Sequence, residues 1–400
     1  MHNSHDPIRH LKYLRQSLSQ DNEAIGFFLS AGCPLSVSMP KDKWPLIPDV
    51  ANLTKYVNES LQDDAFYSIL ISELGKAEKN VNNIEEILSF LRGLLVVSKG
   101  GTVRGLSEND LILIEKTICE KIVNKINVDL PEENTPYHRL CKWIRSIDRK
   151  VAVEIFTTNY DLLMEQSLEE MEIPYFDGFV GAKNPFFDLR ALEDNLIPQH
   201  WSRLWKLHGS INWCQKSSGN KKRVFRSNAE LKELSHLIYP SHLKYEESRK
   251  MPYLALIDQL NRFIRKKSSF LILSGYSFND GHINDVIVNA LKSNPTAMVL
   301  GLLFDTYDYS LPDSDEKIER YPEAYRLAKN QHNLNIWTYD RAIIGTNYGD
   351  WRRTSNNEDD DKEILNFIDF TKGSAPLVKF GDFSVFTDFL QKIIGSPKEL

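Results

Sequence analysis

Four hundred residues, 42% of them hydrophobic and 26% charged, describe an ordinary globular chain with room for two or three units of about 150 residues. A net charge of −6, from 49 basic and 55 acidic residues, argues against a surface built as a whole for nucleic acid. The local basic runs Lys221-Lys222-Arg223 and Arg262 to Lys267 are candidates for a local binding patch, a solvated face being the favoured reading. Cys33, Cys119, Cys141 and Cys214 are widely spaced with no Cys-x-x-Cys pair, which argues against a zinc ribbon and fits reduced cytoplasmic thiols. Met1 to Leu14 holds histidines and charges instead of the apolar stretch of a secretory leader, and no apolar run reaches the ~20 residues of a membrane helix. The expectation is a soluble cytoplasmic protein.

In chain order, Ile8, Leu11, Leu14 and Leu18 fall at spacings that predict an amphipathic helix over 7–19. Ala24 to Leu29 reads as a buried strand running into the turn Ser30-Ala31-Gly32. Pro34, Pro40, Pro45 and Pro48 make the next stretch irregular, either a cover for a neighbouring site or a plain surface loop. The chain then turns helical. Helices are expected over 83–91, capped by Asn82 or Asn83, over 106–126, opened by Ser107-Glu108-Asn109-Asp110, and over 135–147, with Pro136 in the first turn. No strand is expected between 52 and 148.

Strand-like runs return at 151–156, 204–207, 270–273, 297–303 and 335–339, with helical patterns over 161–170, 253–266 and 282–293 between several of them. That alternation predicts an α/β fold, a Rossmann-like, doubly wound and mostly parallel sheet. The acidic runs 312–319 and 355–363 read as exposed loops, and 380–394 as a last strand-turn and short helix. The expected organisation is a sheet domain over 1–50 and 150–348, a helical insertion over 51–149, and a C-terminal extension over 349–400 suited to oligomer or partner contacts.

Four segments at strand ends carry the candidate chemistry. Ser30-Ala31-Gly32-Cys33 is a small-residue turn through which backbone N–H groups could meet a diphosphate, and a tight structural turn reads equally well. It is neither a Gly-x-Gly-x-x-Gly loop nor a Walker loop. In Thr157-Thr158-Asn159-Tyr160-Asp161 the amide and carboxylate serve either as a helix cap or as a catalytic pair, in which a fixed anion stabilises positive charge developing on a ribose. His208, before Gly209, is placed to take a proton near neutral pH. Ser274-Gly275-Tyr276-Ser277 would accommodate a ribose and phosphate or form a simple turn, and Asp280 is expected to cap the helix from His282. Arg341 to Thr346 is a further candidate, for an adenine ring.

Taken in order, the Ala31-Gly32 turn, Thr158-Asn159-Tyr160-Asp161, Lys206-Leu207-His208-Gly209-Ser210 and Ser274-Gly275-Tyr276-Ser277 resemble the sirtuin superfamily, in particular the bacterial sirtuin-like NADases of anti-phage defence. The resemblance covers about residues 24–50 and 150–345. It implies NAD+ as substrate and no metal, with Asn159 and His208 catalytic. Asp161 would lie on the nicotinamide side, and Ala31, Gly32, Cys33, Ser274, Gly275 and Ser277 in loops that contact NAD+. The departures concern deacylation: the zinc ribbon is missing, Leu46-Ile47-Pro48-Asp49-Val50 matches the family's Gly-Ile-Pro-Asp-Phe-Arg only loosely, and no acyl-peptide strand is found. The implied reaction is hydrolysis to nicotinamide and ADP-ribose.

By its overall build the chain also resembles the subunit that partners a HerA-type hexameric ATPase, which implies a homo-oligomer and NAD+ loss under a partner's control. Two other readings stand beside this one: a sirtuin-fold module that senses NAD+ or ADP-ribose without turnover, and a structural scaffold with a vestigial pocket. The presence of both Asn159 and His208 favours the enzyme.

Overall fold

The computed structural model describes residues 3–132, 134–218, 221–227, 235–238, 252–311, 316–353, 361–371 and 375–393. Its centre is one sheet made of β1 (Asn3–His5), β2 (Ile25–Leu29), β3 (Glu154–Thr157), β4 (Tyr175–Phe176), β5 (Ser202–Lys206), β6 (Phe270–Ser274), β7 (Met298–Leu302), β8 (Leu334–Trp337), β9 (Arg341–Ile344) and β10 (Asn347–Trp351). The spatial order is β1-β10-β9-β8-β7-β6-β2-β3-β5-β4. From β8 to β4 every neighbouring pair is parallel. Strand β9 runs antiparallel to both neighbours, and β1 pairs in parallel with β10.

The helices are α1 (Pro7–Leu18), α2 (Val50–Ser60), α3 (Ala65–Lys76), α4 (Ile84–Val97), α5 (Glu108–Ile126), α6 (Pro136–Ser146), α7 (Leu163–Glu170), α8 (Leu189–Glu193), α9 (Tyr253–Ile264), α10 (Gly281–Ser293), α11 (Pro322–Asn330), α12 (Lys362–Leu365) and α13 (Phe383–Ile393). This is the mixed α/β, Rossmann-type architecture that the alternating pattern predicts.

Every residue of β2, β3 and β6 is buried, as expected of parallel strands covered on both faces. Successive side chains divide between two cores. Phe27 lies with Trp143 of α6 and Phe386 of α13, at ring separations of 5.4 and 6.3 Å. Phe28 faces the other way, into the core shared with Leu260 and Phe263 of α9 and Ile283 and Ile287 of α10. A fully buried aromatic side chain of this kind stabilises by roughly 1.5–3 kcal/mol relative to exposure.

Local signals start the helices, those at Asn83 and Ser107 as expected. Asp6 accepts from Ile8 N at 2.9 Å to cap α1, and Asn83 accepts from Glu85 N at 2.9 Å to cap α4. Ser107 and Asp110 form a capping box on α5. Thr135 caps α6, with Pro136 in the first turn.

The structure adds elements that the patterning did not predict. Helices α2 and α3 extend the helical region, which also holds a two-residue hairpin, Thr102–Val103 against Leu106–Ser107. A separate antiparallel sheet joins Phe179–Val180, Phe186–Phe187, Gly209–Ser218, Lys221–Arg226 and Ser235–Ile238. Part of the expected acidic loop, Lys317–Glu319, is a strand paired with Asp308–Ser310, and α11 follows it. The rest of that loop (312–315) and most of the second acidic run (355–360) lie outside the described residues. So do the side chains of Lys221, Lys222 and Arg223.

The second basic run is spent on local partners: Arg262 Nε lies 2.8 Å from Asp258, and Lys266 Nζ donates to Glu154 over 2.5 Å. Among the described residues no helix is long and apolar enough to cross a membrane.

Candidate active site

Open parallel sheets bind ligands beyond the carboxyl ends of their strands, where the strand order reverses. Here the chain leaves β2 for β3 on one side and returns through β6 on the other, so the reversal lies between β2 and β6. A cavity of about 850 Å³ opens at that point, within the roughly 300–1,000 Å³ usual for ligand pockets.

Loops from β2, β3, β5, β6 and β7 converge on it and are tied together by the backbone. Ser30 N donates to Ser274 O at 3.1 Å and Gly32 N to Gly275 O at 3.0 Å, joining the β2 and β6 loops. Ser30 Oγ and Thr158 Oγ1 lie 2.8 Å apart, and Asn159 Nδ2 donates to Ser30 O at 3.3 Å, joining β2 to β3. Leu207 N donates to Thr157 O at 2.8 Å, which brings His208 of the β5 loop alongside.

Of the residues expected at a site, Ala31, Gly32, Asn159, Asp161, His208, Gly275 and Ser277 all line the cavity. Cys33 and Ser274 do not. They stand one layer behind, fully buried, with Cys33 Sγ donating to Ser274 O at 3.3 Å. Burial pushes the Cys33 thiol up to about 12, so it stays protonated in the packed wall. The stretch Arg341–Thr346 falls on β9 and its turn, away from the lining, and Arg341 is engaged by Asp350 at 2.9 Å and Asp308 at 3.2 Å.

Asp161 stands between the start of α7 and the cavity. Its Oδ1 accepts from Leu163 N at 3.0 Å near the start of α7, and the residue also faces the cavity. Burial raises its carboxyl to about 6, against the opposing pull of the Lys206 ammonium. Lys206 is itself buried, donates to the backbone oxygen of Asp161, and pairs with Glu165 Oε1 at 2.9 Å.

His208 lies with its Nε2 3.1 Å from Asp280 Oδ2. Among the described residues no group of three or more His, Cys, Asp or Glu is placed to hold a metal ion.

Sequence reasoning missed several contributors to the wall. Asp280 was expected as a helix cap, which it is, accepting from His282 N at 3.0 Å and Ile283 N at 3.2 Å; it also borders the cavity beside His208. Asn80, Asn82, Asn83 and Glu85, from the start of α4, form a polar flank. Their amide-rich spelling signalled only a helix cap. Trp44, 56% exposed, sits at the rim in the proline-rich segment with its Nε1 donating to Leu35 O at 3.1 Å. The described lining carries Asp49, Glu85, Asp161, Asp280 and Asp382 and no Lys or Arg.

Fold and site together define a Rossmann-type protein with a pocket at the strand-order reversal. Residues 153–330 match the family model described as a SIR2-like domain, and that match supports a sirtuin-like family and an NAD-related role. It spans Asn159, Asp161, His208 and the Ser274–Asp280 loop, whereas the Ser30–Cys33 turn lies before it. No match is found among curated proteins.

Proposed function

We propose that this chain hydrolyses the nicotinamide–ribose bond of NAD+, giving nicotinamide and ADP-ribose. The observation that carries the reading is the convergence of Asn159, Asp161 and His208 on one cavity whose other wall is the Gly32–Gly275 contact. That wall is tight: a Cβ on either glycine would strike the opposite loop, so the β2 and β6 loops pack backbone to backbone, with Gly32 N–H given to Gly275 O. A lining rich in carboxylates suits the cationic nicotinamide end and leaves the phosphates to backbone amides.

In this reading the Asp161 carboxylate accepts from the substrate carboxamide and places a fixed negative charge near the ribose carbon that becomes electron-poor. Asn159 orients a water against that carbon. His208 accepts the water's proton as the new carbon–oxygen bond forms and nicotinamide leaves with the electrons of the carbon–nitrogen bond. A base of this kind contributes roughly 10²–10⁴-fold.

The missing deacylase segments support water as the acceptor. The resemblance further supports a place in anti-phage defence, with homo-oligomer formation and a HerA-type hexameric ATPase as the proposed means of control, since an unrestrained NADase would drain its own cell.

The test is NAD+ consumption by purified protein, alone and with the proposed ATPase, beside Asn159→Ala. Nicotinamide and ADP-ribose released by the wild type alone support the hydrolase. Tight NAD+ binding without turnover in any state would favour a sensing module instead.

A further inference from the structure

His208 and Asp280 reach the cavity from the ends of different strands, β5 and β6, and neither has a sequence neighbour that would bring it to the other. Their side chains are only 9% and 10% exposed, and His208 Nε2 lies 3.1 Å from Asp280 Oδ2. The second Asp280 oxygen, Oδ1, accepts from His282 N and Ile283 N at 3.0 and 3.2 Å in the first turn of α10. A helix N-terminus favours the ionised carboxylate.

The loop that carries this carboxylate is held rigid. Tyr276 Oη lies 3.1 Å from Asp280 O and 2.8 Å from Asn284 Oδ1, its one proton shared between them, and Asn284 Nδ2 donates to Phe278 O at 2.7 Å. A cap alone needs one carboxylate oxygen. The other, Oδ2, lies within ion-pair distance of the His208 imidazole across the site, at an angle short of a formed hydrogen bond.

We propose that Asp280 is a positioning residue for His208: it holds the proton on Nε2, so that Nδ1 keeps its lone pair turned to proton acceptance. A carboxylate behind an imidazole fixes both ring orientation and tautomer, and stabilises the imidazolium once a proton arrives. In the hydrolysis proposed above, the water's proton goes to Nδ1 while Nε2 keeps its own. The inference rests on that reading for its catalytic meaning, but the tautomer is readable without turnover.

The experiment uses full-length protein labelled with ¹⁵N-histidine, the His208 signal being identified by its loss in His208→Gln. At alkaline pH, where an imidazole is neutral, the wild type is expected to give the ring shifts of an Nε2–H tautomer. Two variants separate positioning from capping. Asp280→Asn keeps size and cap but loses the charge, and Asp280→Ser keeps a good cap but cannot reach His208. Both are expected to melt near the wild type, to give mixed tautomers, and to lose roughly 10- to 100-fold in kcat with little change in KM.

An Nδ1–H tautomer in the wild type, or wild-type kcat in both variants, overturns the proposal. If the wild type leaves NAD+ intact, the hydrolase reading fails, while the ring shifts still decide the pairing.

Discussion

Gly32 donates its amide proton to the carbonyl of Gly275 across 3.0 Å, and the two loops meet so closely that a Cβ on Gly32 would lie 2.7 Å from the α-carbon of Gly275. The reverse contact is as tight: a Cβ on Gly275 would sit 2.6 Å from Cys33 N, and Gly275 has a φ of +67°. This junction fixes the spacing of the β2 and β6 loops, and with it the width of the cavity. Gly275→Ala is expected to cost about 1–3 kcal/mol from backbone strain alone, plus the steric clash. Gly32→Ala carries only the clash. Urea denaturation of both variants checks this, and unchanged midpoints would mean that the loops separate freely.

Asn159→Ala tests the catalytic reading with little structural disturbance. The side chain is part-exposed and its amide gives one hydrogen bond, to Ser30 O at 3.3 Å, so stability should fall by about 1 kcal/mol or less. NAD+ turnover should vanish while binding, measured calorimetrically, persists. Turnover at the wild-type rate would remove Asn159 from the mechanism.

Asp161 makes stability depend on pH in a stated direction. Its carboxyl is raised from the usual 3.8 to about 6 because burial disfavours the anion. The folded chain thus holds this proton more tightly than the unfolded chain does. The contribution is fully present below pH ~4, shrinks as pH rises towards 6, and is lost above it, a change on the order of 3 kcal/mol at about 1.4 kcal/mol per tenfold. Denaturation of the wild type and Asp161→Asn between pH 4 and 7 should show the slope in the first and its loss in the second. NAD+ turnover should fall as the pH drops below about 6, where the carboxylate takes up its proton.

Beneath the site, Lys206 neutralises a buried pocket of negative charge. Lys206→Met leaves Glu165, 8% exposed, without its cation, and removes the group that holds the Asp161 carboxyl from rising further. A loss of about 3–5 kcal/mol is expected, most of it recovered in Lys206→Met/Glu165→Met, where no uncompensated charge remains. If the double variant is no more stable than the single one, the ion pair is not what the lysine serves. Thermal and urea unfolding read both.

The regular fold was legible because its signals are local. Capping residues such as Asn83 and Ser107 act within one turn of where they stand, and the apolar runs of β2, β3 and β6 must be buried on both faces wherever they fall. Short or shared elements were not legible. The helix α2 buries only Leu53, Thr54 and Val57 of its eleven residues, and the second sheet joins two two-residue strands to three from Gly209–Ile238, a stretch with no clear apolar alternation.

The same division runs through the site. By itself the sequence determined which chemical groups stand at strand ends: the small turn at Ser30–Cys33, the amide and carboxylate at Asn159 and Asp161, the imidazole at His208 and the glycine loop at Gly275. Only the tertiary structure decided which of them meet. It set Cys33 and Ser274 behind the wall, brought Asn80, Asn82, Asn83 and Glu85 to the cavity, and made Asp280, a helix cap, also the neighbour of His208. A strand's end is written in its own residues. Its neighbour across the sheet is chosen by strand order, which no short stretch of chain contains.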